Sequence, residues 1–380
     1  MPKSTQEKIA IFAPYYAHVG TEKVMLTLAQ GFVEQGYQVD LLRAYQEWPS
    51  FQRKDGISLV DLNAKHLINL WPKRPSYRLW NILLTLELLP KLSAYIHREK
   101  PDVLITGLLG AVGVLARGLS GSQTKVIVSV QGLPRPSILR RLIWNFTYPR
   151  ADALVVPSRD ITRRLPKAVT NRSQSVRVIC NPVVDPCILK CADEPVEHPW
   201  FQASQPPIIL GVGRLTRQKD FETLLRAFAI VRKRIHSRLV ILGEGEKRNE
   251  LETLARQLNI SSVLSMPGFV KNPWKYMSKS AVFVLSSKWE GPGHALIEAL
   301  GIGTPIVSTD CPYGPSEILL GGKLGQLVPV GNPESMASAI VNLLGDPQKA
   351  QGFAKKGLEH TTMFHPSSVV REYANLIEKI

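Results

Sequence analysis

Glu290 and Glu298 stand eight residues apart in Trp289-Glu290-Gly291-Pro292-Gly293-His294-Ala295-Leu296-Ile297-Glu298. The segment follows an apolar run, Val282–Ser286, and opens a helical stretch, Ala295–Leu300. Gly291 and Gly293 let backbone come close to a ligand, and a helix start offers unpaired N–H groups. Together they suit an anion such as a diphosphate. The carboxylates can accept hydrogen bonds from sugar or ribose hydroxyls. Spacing alone leaves the alternatives open: Glu298 as a solvated helix residue, Glu290 as a charge placed against the helix dipole.

A second candidate is Gly211-Val212-Gly213-Arg214-Leu215-Thr216-Arg217-Gln218-Lys219-Asp220, after the run Ile208–Val212. Arg214 and Lys219 set two cations at a strand end, where they could neutralise a diphosphate leaving group. The segment lacks the Gly-Lys-Ser/Thr of a P-loop and the third glycine of a dinucleotide fingerprint. Three further glycine turns follow. Leu242-Gly243-Glu244-Gly245-Glu246 reads first as a structural strand-to-helix turn. Pro267-Gly268-Phe269-Val270 fits either a nucleobase contact or a simple turn. Asp310–Leu319, with Tyr313-Gly314-Pro315-Ser316-Glu317, fits a capping role as well as a ligand role.

The elements that must position these residues are two alternating series. Short apolar runs at Ile9–Phe12, Gln38–Leu42, Val103–Thr106, Lys125–Val130, Ala153–Pro157 and Val176–Cys180 are separated by amphipathic stretches such as Glu22–Gln35. A second series runs through Ile208–Val212, Arg238–Leu242, Val263–Met266, Val282–Ser286, Pro305–Ser308 and Gly325–Val328. Helical stretches at Asp220–Arg234 and Lys247–Leu258 lie between them. Two such series predict an α/β protein of two doubly wound, Rossmann-like domains, with ligands in a central cleft at the strands' carboxyl ends. Five prolines between Asn181 and Pro207 read as a linker. Ser367–Ile380 reads as a closing amphipathic helix.

The 380 residues suit two domains of ~150–200 residues each. No segment reaches the ~18 apolar residues of a membrane span. The start, Met1-Pro2-Lys3-Ser4, runs into a short apolar strand without a signal-peptide pattern, so a cytoplasmic protein is expected. Cys180, Cys187, Cys191 and Cys311 lack zinc spacing and read as free thiols. The net charge is +16, and residues 51–150 hold 15 Lys or Arg against 5 Asp or Glu. That excess calls for an anionic partner: nucleic acid, membrane or a phosphorylated ligand. No helix-turn-helix, RNA-recognition or zinc signature supports nucleic acid. Aromatics interleave with cations at Trp71, Lys73, Arg74, Tyr77, Arg78 and Trp80, and again at Arg135–Arg150 with Trp144 and Tyr148. This composition suits either an anionic membrane surface at its inner, cytoplasmic face or a domain core.

In their order and spacing, the five glycine-bearing motifs resemble the large family 4 of retaining glycosyltransferases, the group 1 type with the GT-B fold. The resemblance rests on the Glu-x7-Glu motif (Glu290, Glu298), Gly213-Arg214…Lys219, Leu242–Gly245 and Gly314–Leu319. The N-terminal half is similar more loosely, through Gly20-Thr21-Glu22-Lys23, Pro101–Ile105, Ala151–Ser158 and Val178–Asp185. It implies an N-terminal acceptor domain over 1–190, with the helix 365–380 packing back on it, and a donor domain over 200–364. Arg214 and Lys219 would hold the donor diphosphate, Glu298 the ribose hydroxyls and Glu290 the donor sugar. Gly213, Gly293, His294, Ala295 and Leu296 would line the phosphates and sugar, Gly20 the diphosphate, and Phe269 and Val270 the base. The implied reaction moves a hexosyl group from a nucleoside-diphosphate sugar, UDP by family frequency, to a glycan or lipid-linked saccharide. No metal or other cofactor is implied. A GT-B sugar-nucleotide epimerase is the alternative enzyme; a phosphorylase would need a pyridoxal phosphate lysine, which is not identified.

Three departures stand out. Val19 replaces a glycine of the N-terminal loop. Gln131-Gly132 stands where many relatives carry His, so Gln131 can contact a sugar or acceptor hydroxyl but cannot titrate. Pro292 and His294 replace an aromatic and an aliphatic residue, and Pro292 removes an N–H donor.

Overall fold

The computed structural model describes residues 7–14, 20–44, 56–64, 77–131, 138–165, 167–170, 176–202, 204–291 and 293–380, without the side chains at 20–22, 77–81, 139 and 168. Val19, Trp71, Lys73, Arg74, Gly132, Arg135 and Pro292 lie outside the described residues, as do the side chains of Tyr77, Arg78 and Trp80.

The chain divides into two units, Met1–Pro182 with Pro366–Ile380, and Val183–His365. In the first unit the strands are β1 (Lys8–Phe12), β2 (Gln38–Arg43), β3 (Ile57–Asp61), β4 (Val103–Thr106), β5 (Lys125–Ser129), β6 (Ala153–Val156) and β7 (Val176–Val178). They form one parallel sheet in the order β3-β2-β1-β4-β5-β6-β7. In the second unit β8 (Ile208–Val212), β9 (Arg238–Leu242), β10 (Leu264–Gly268), β11 (Val282–Leu285), β12 (Ile306–Thr309) and β13 (Gln326–Val328) pair in parallel as β10-β9-β8-β11-β12-β13. Each order reverses direction once, between β1 and β4 and between β8 and β11. Such switch points open a crevice at the carboxyl ends of the strands.

The strands are apolar on both faces because helices cover both. In β1, Ala10 and Phe12 join one core with Leu84, Leu88 and Leu92, while Ile9 and Ile11 join another with Val369, Val370 and Tyr373. The last three come from the helix Pro366–Ile377, whose buried residues recur at helical spacing. Gly31 allows its approach: a Cβ there would lie 2.4 Å from Val370 Cγ2. The Tyr373 hydroxyl, fully buried, lies 3.0 Å from Ser129 Oγ. Burying Tyr373, Val370 and Leu376 contributes ~1.5–3 kcal/mol each, which ties the chain's last helix to the first unit.

Two features differ from the sequence expectation. Strand β3 carries no clear alternation, yet Arg43 and Asp61 lock it to β2 through two bonds of 2.5 and 2.9 Å. The stretch 181–207 is not an irregular linker: it holds the helix Pro186–Ala192 and a turn of 3-10 helix at Pro199–Phe201. Asp185 caps the former, accepting from the Cys187 N–H at 2.8 Å, and Pro186 is placed where a missing N–H costs nothing. Val183 and Val184 donate to the Phe364 carbonyl at 3.0 and 3.1 Å, so the second unit begins there.

Candidate functional site

Four loops gather at the carboxyl ends of β8, β9, β11 and β12. The loop after β8 is knitted to the loop after β9 by backbone bonds: Leu215 N–H to the Glu244 carbonyl at 2.8 Å and Lys247 N–H to the Leu215 carbonyl at 3.0 Å. This contact explains the glycines of Leu242–Glu246. A Cβ on Gly243 would lie 2.0 Å from the Gly213 carbonyl oxygen, and one on Gly245 would lie 2.3 Å from that of Leu215. Gly243 also has φ +140°, which L side chains rarely adopt.

Lys219 and Glu290 meet across the switch point between β8 and β11. Lys219 Nζ lies 2.6 Å from Glu290 Oε1, and the Ser287 hydroxyl donates to the same oxygen at 2.5 Å. The two side chains are 16% and 5% exposed, so water screens the pair weakly. Both printed bonds use Oε1, and Glu290 Oε2 has no hydrogen bond among the described residues.

The loops holding this pair are themselves tied. Ser286 Oγ donates to the Lys219 carbonyl at 2.7 Å, Gln218 Nε2 to the Trp289 carbonyl at 3.0 Å and Lys288 N–H to the Gln218 carbonyl at 2.8 Å. Thr309 Oγ1, at the end of β12, donates to the Ser287 carbonyl at 2.7 Å. Asp220 takes a left-handed conformation (φ 47°), and Lys288 Nζ lies 3.2 Å from its buried carboxylate. The Arg214 side chain is exposed and makes no hydrogen bond or ion pair among the described residues. Lys219 and Lys288 are thus each matched to a carboxylate, whereas the Arg214 guanidinium is matched to none among the described residues.

Gly293 heads the helix His294–Ile302 in a left-handed conformation, φ 63°. The Leu296 N–H donates to the Gly293 carbonyl at 2.9 Å and the Leu296 side chain is fully buried. Leu296 therefore shapes the helix start from the core side. His294, Ala295 and Glu298 are half-buried on this helix. Gly314–Leu319 packs beneath: Gly314 and Pro315 are buried, and Ile318 Cδ1 would be 3.1 Å from a Cβ on Gly293. Cys311 sits beside Glu290, and burial, aided by that carboxylate's charge, pushes its thiol up to about 12. It stays protonated at neutral pH and is a poor nucleophile.

Phe269 follows β10 and is 74% exposed, with Val270 beside it half-buried. Gly268 permits the turn: its carbonyl accepts from Gly243 N–H at 2.8 Å, and its φ is +93°. An exposed ring of this kind offers a face to a planar group.

Gly20 and Gln131 lie in the first unit. Gly20 heads the helix Gly20–Glu34. Gln131, two residues past the end of β5, is 6% exposed; its Nε2 donates to Ser129 Oγ at 2.7 Å, and its Oε1 has no partner among the described residues. The sequence reading passed over Ser286, Ser287, Gln218 and Thr309. The polar pair Ser286-Ser287 directly after an apolar strand was the available signal.

Two family models match: Glycosyltransferase Family 4 over residues 19–185 and Glycosyl transferases group 1 over 196–360. Together they span both units. This chain is a glycosyltransferase of the group 1, family 4 type. Among relatives of this glycosyltransferase is an N-acetylgalactosamine-N,N'-diacetylbacillosaminyl-diphospho-undecaprenol 4-alpha-N-acetylgalactosaminyltransferase of Campylobacter jejuni, 28% identical over 269 residues, 69% of this chain and 71% of that protein. Another is the lipopolysaccharide core biosynthesis glycosyltransferase LpsE of Rhizobium meliloti, 26% identical over 363 residues, 94% of this chain and 95% of that one. The fold is that of Anabaena Alr3699/HepE, solved with UDP and glucose: TM-score 0.76 at 15% identity, covering 99% of this chain and 100% of that one. The transferase thus has the GT-B type of fold, built on two parallel sheets of seven and six strands.

Proposed function

We propose that this glycosyltransferase moves a hexosyl group from a UDP-sugar to a hydroxyl of a glycan or lipid-linked saccharide, with retention at the anomeric carbon. The observation that carries the reading is the Lys219–Glu290 pair at the β8/β11 switch point, with the unengaged Arg214 guanidinium at the end of the same strand β8. Arg214 and Lys219 hold the diphosphate and stabilise the charge that builds on it as the sugar leaves. The start of the helix His294–Ile302, with Gly293, His294 and Ala295, adds dipole and N–H groups toward the phosphates and sugar. No metal is given a role, because these groups supply the positive charge. Gly213 gives the diphosphate close backbone approach. Glu298 takes the ribose hydroxyls and Phe269 with Val270 the base.

Glu290 divides its two oxygens. Oε1 is held by Lys219 and Ser287, and Oε2 accepts from a donor-sugar hydroxyl. A carboxylate fixed in this way orients the sugar rather than attacking it. The departing phosphate takes the acceptor's proton on the same face, which gives retention. Gln131 offers its Oε1 to a sugar or acceptor hydroxyl. The diphospho-undecaprenol-linked saccharide in the Campylobacter relative's name, and the lipopolysaccharide core biosynthesis in the Rhizobium relative's, support this acceptor class. UDP bound to the Anabaena structure supports the nucleotide. No helix among the described residues is long and apolar enough to cross a membrane. The lipid-linked acceptor reading and the basic charge support a place in the cytoplasm, at the inner membrane face. Its positive charge is assigned to phosphate and lipid rather than to nucleic acid. Thermal-shift screening against UDP- and GDP-sugars tests the reading. A UDP-sugar that raises the unfolding temperature most supports it; a GDP-sugar that does so overturns the UDP assignment.

A further inference from the structure

The helix Ile138–Thr147 turns an apolar face outward. Ile138, Leu142 and Phe146, four residues apart, are 83%, 60% and 57% exposed, and Ile143 is exposed beside them. The opposite flank faces the core. Trp144 packs against it, stacked on the buried Tyr148 with ring centroids 4.8 Å apart, and Thr147 is buried. With Trp144 and Thr147 fixed inward, the Ile138-Leu142-Phe146 ridge must face out. A surface helix ordinarily shows the reverse pattern, and a contiguous apolar face of this kind marks an interaction site.

Charge identifies the partner. Arg141 and Arg150 are exposed, and the Arg150 guanidinium lies 4.0 Å from the Phe146 ring centroid while also donating to the Phe146 carbonyl. Between Asp102 and Asp152 the sequence has six Lys or Arg and no acidic residue. An apolar ridge with arginines and no carboxylates matches an anionic bilayer: acyl chains receive the ridge and headgroup phosphates meet the guanidinium groups. Ten residues make a helix of about 15 Å, which suits lying in the interface and is too short to span it.

We propose that this face docks the enzyme on a membrane rich in anionic phospholipid. The proposal rests on the lipid-linked acceptor reading for its purpose and deepens it, since a docked enzyme meets that acceptor where it is anchored. Flotation of the full chain with phosphatidylcholine vesicles, with and without phosphatidylglycerol, tests it. The wild type is expected to float with the phosphatidylglycerol vesicles only, and the Leu142→Ser/Phe146→Ser variant to lose about tenfold or more of that binding. Arg141→Glu is expected to weaken it by about fivefold. Both positions of the double variant are exposed, so an unchanged unfolding temperature is expected and is measured alongside. Equal flotation with both vesicles, no flotation, or a double variant that floats like the wild type overturns the proposal. So does a self-association lost in the double variant without any vesicle binding, which would assign the face to a second copy. Transfer assays on the same samples separate the two readings: a chain that floats but glycosylates only a water-soluble saccharide keeps the docking face and loses the lipid-linked acceptor.

Discussion

In the second unit, strands β8, β11 and β12 end on charged and hydroxyl side chains that hold one another: Lys219, Glu290, Ser286, Ser287 and Thr309. In the first unit, β4 ends on Thr106 and β5 leads to Gln131, each with a buried side-chain oxygen that has no partner among the described residues. At the strands beside each switch point, the second unit presents a matched charge network and the first presents neutral side chains, its Arg43–Asp61 pair standing further out at the ends of β2 and β3. A diphosphate needs cations held in place before it arrives, because reorganising charge in a poorly solvated site is costly. A hydroxyl needs only a correctly aimed acceptor. The contrast is the one that the proposed function requires of a donor edge and an acceptor edge.

Changes in the charged edge should therefore do most damage. Lys219→Met removes the cation and leaves the Glu290 carboxylate nearly buried with Ser287 alone. Turnover should fall by about 100- to 1000-fold, measured as steady-state kcat on the donor identified by screening. A variant within a few-fold of wild type would break the comparison. Next comes the scaffold. Gly243→Ala drives a methyl into the Gly213 carbonyl and should cost about 1–3 kcal/mol, read as a lowered midpoint in urea. No change in midpoint would mean that the two loops do not need their close approach. The smallest effect belongs to the neutral edge. Tyr373→Phe removes one hydroxyl from the Tyr373–Ser129–Gln131 line and should cost about 0.5–1.5 kcal/mol, a drop of a few degrees in unfolding temperature. A loss as large as that of Gly243→Ala would show that the first unit's edge is held as tightly as the second's.

Much of this was legible from residue order, for a physical reason. Strands buried on both faces read as apolar runs, so β1, β4, β8, β9 and β11 could be placed within a residue or so. Glycine turns after those strands marked the loops that matter. The legibility stopped where local pattern did. Strand β3 is specified by its pairing with β2 and by Arg43–Asp61, neither of which has a local signature. The helix Pro186–Ala192 hides among prolines because Pro at a helix start is favourable, not disruptive. Lys219 and Glu290 were each singled out, but their bond joins positions 71 residues apart and depends on β8 lying beside β11. Leu296, expected among the donor contacts, has its N–H bonded to the Gly293 carbonyl and its side chain buried, which residue type alone does not show.

In the proposed function the β8/β11 edge holds a nucleoside diphosphate through Arg214. Calorimetric titration of UDP into the wild type and Arg214→Ala tests this. Saturable binding by the wild type is expected, weakened about tenfold or more in the variant, with no change in unfolding temperature because the exposed guanidinium bonds to nothing in the fold. A folded Arg214→Ala protein that binds UDP as well as the wild type would contradict the assignment.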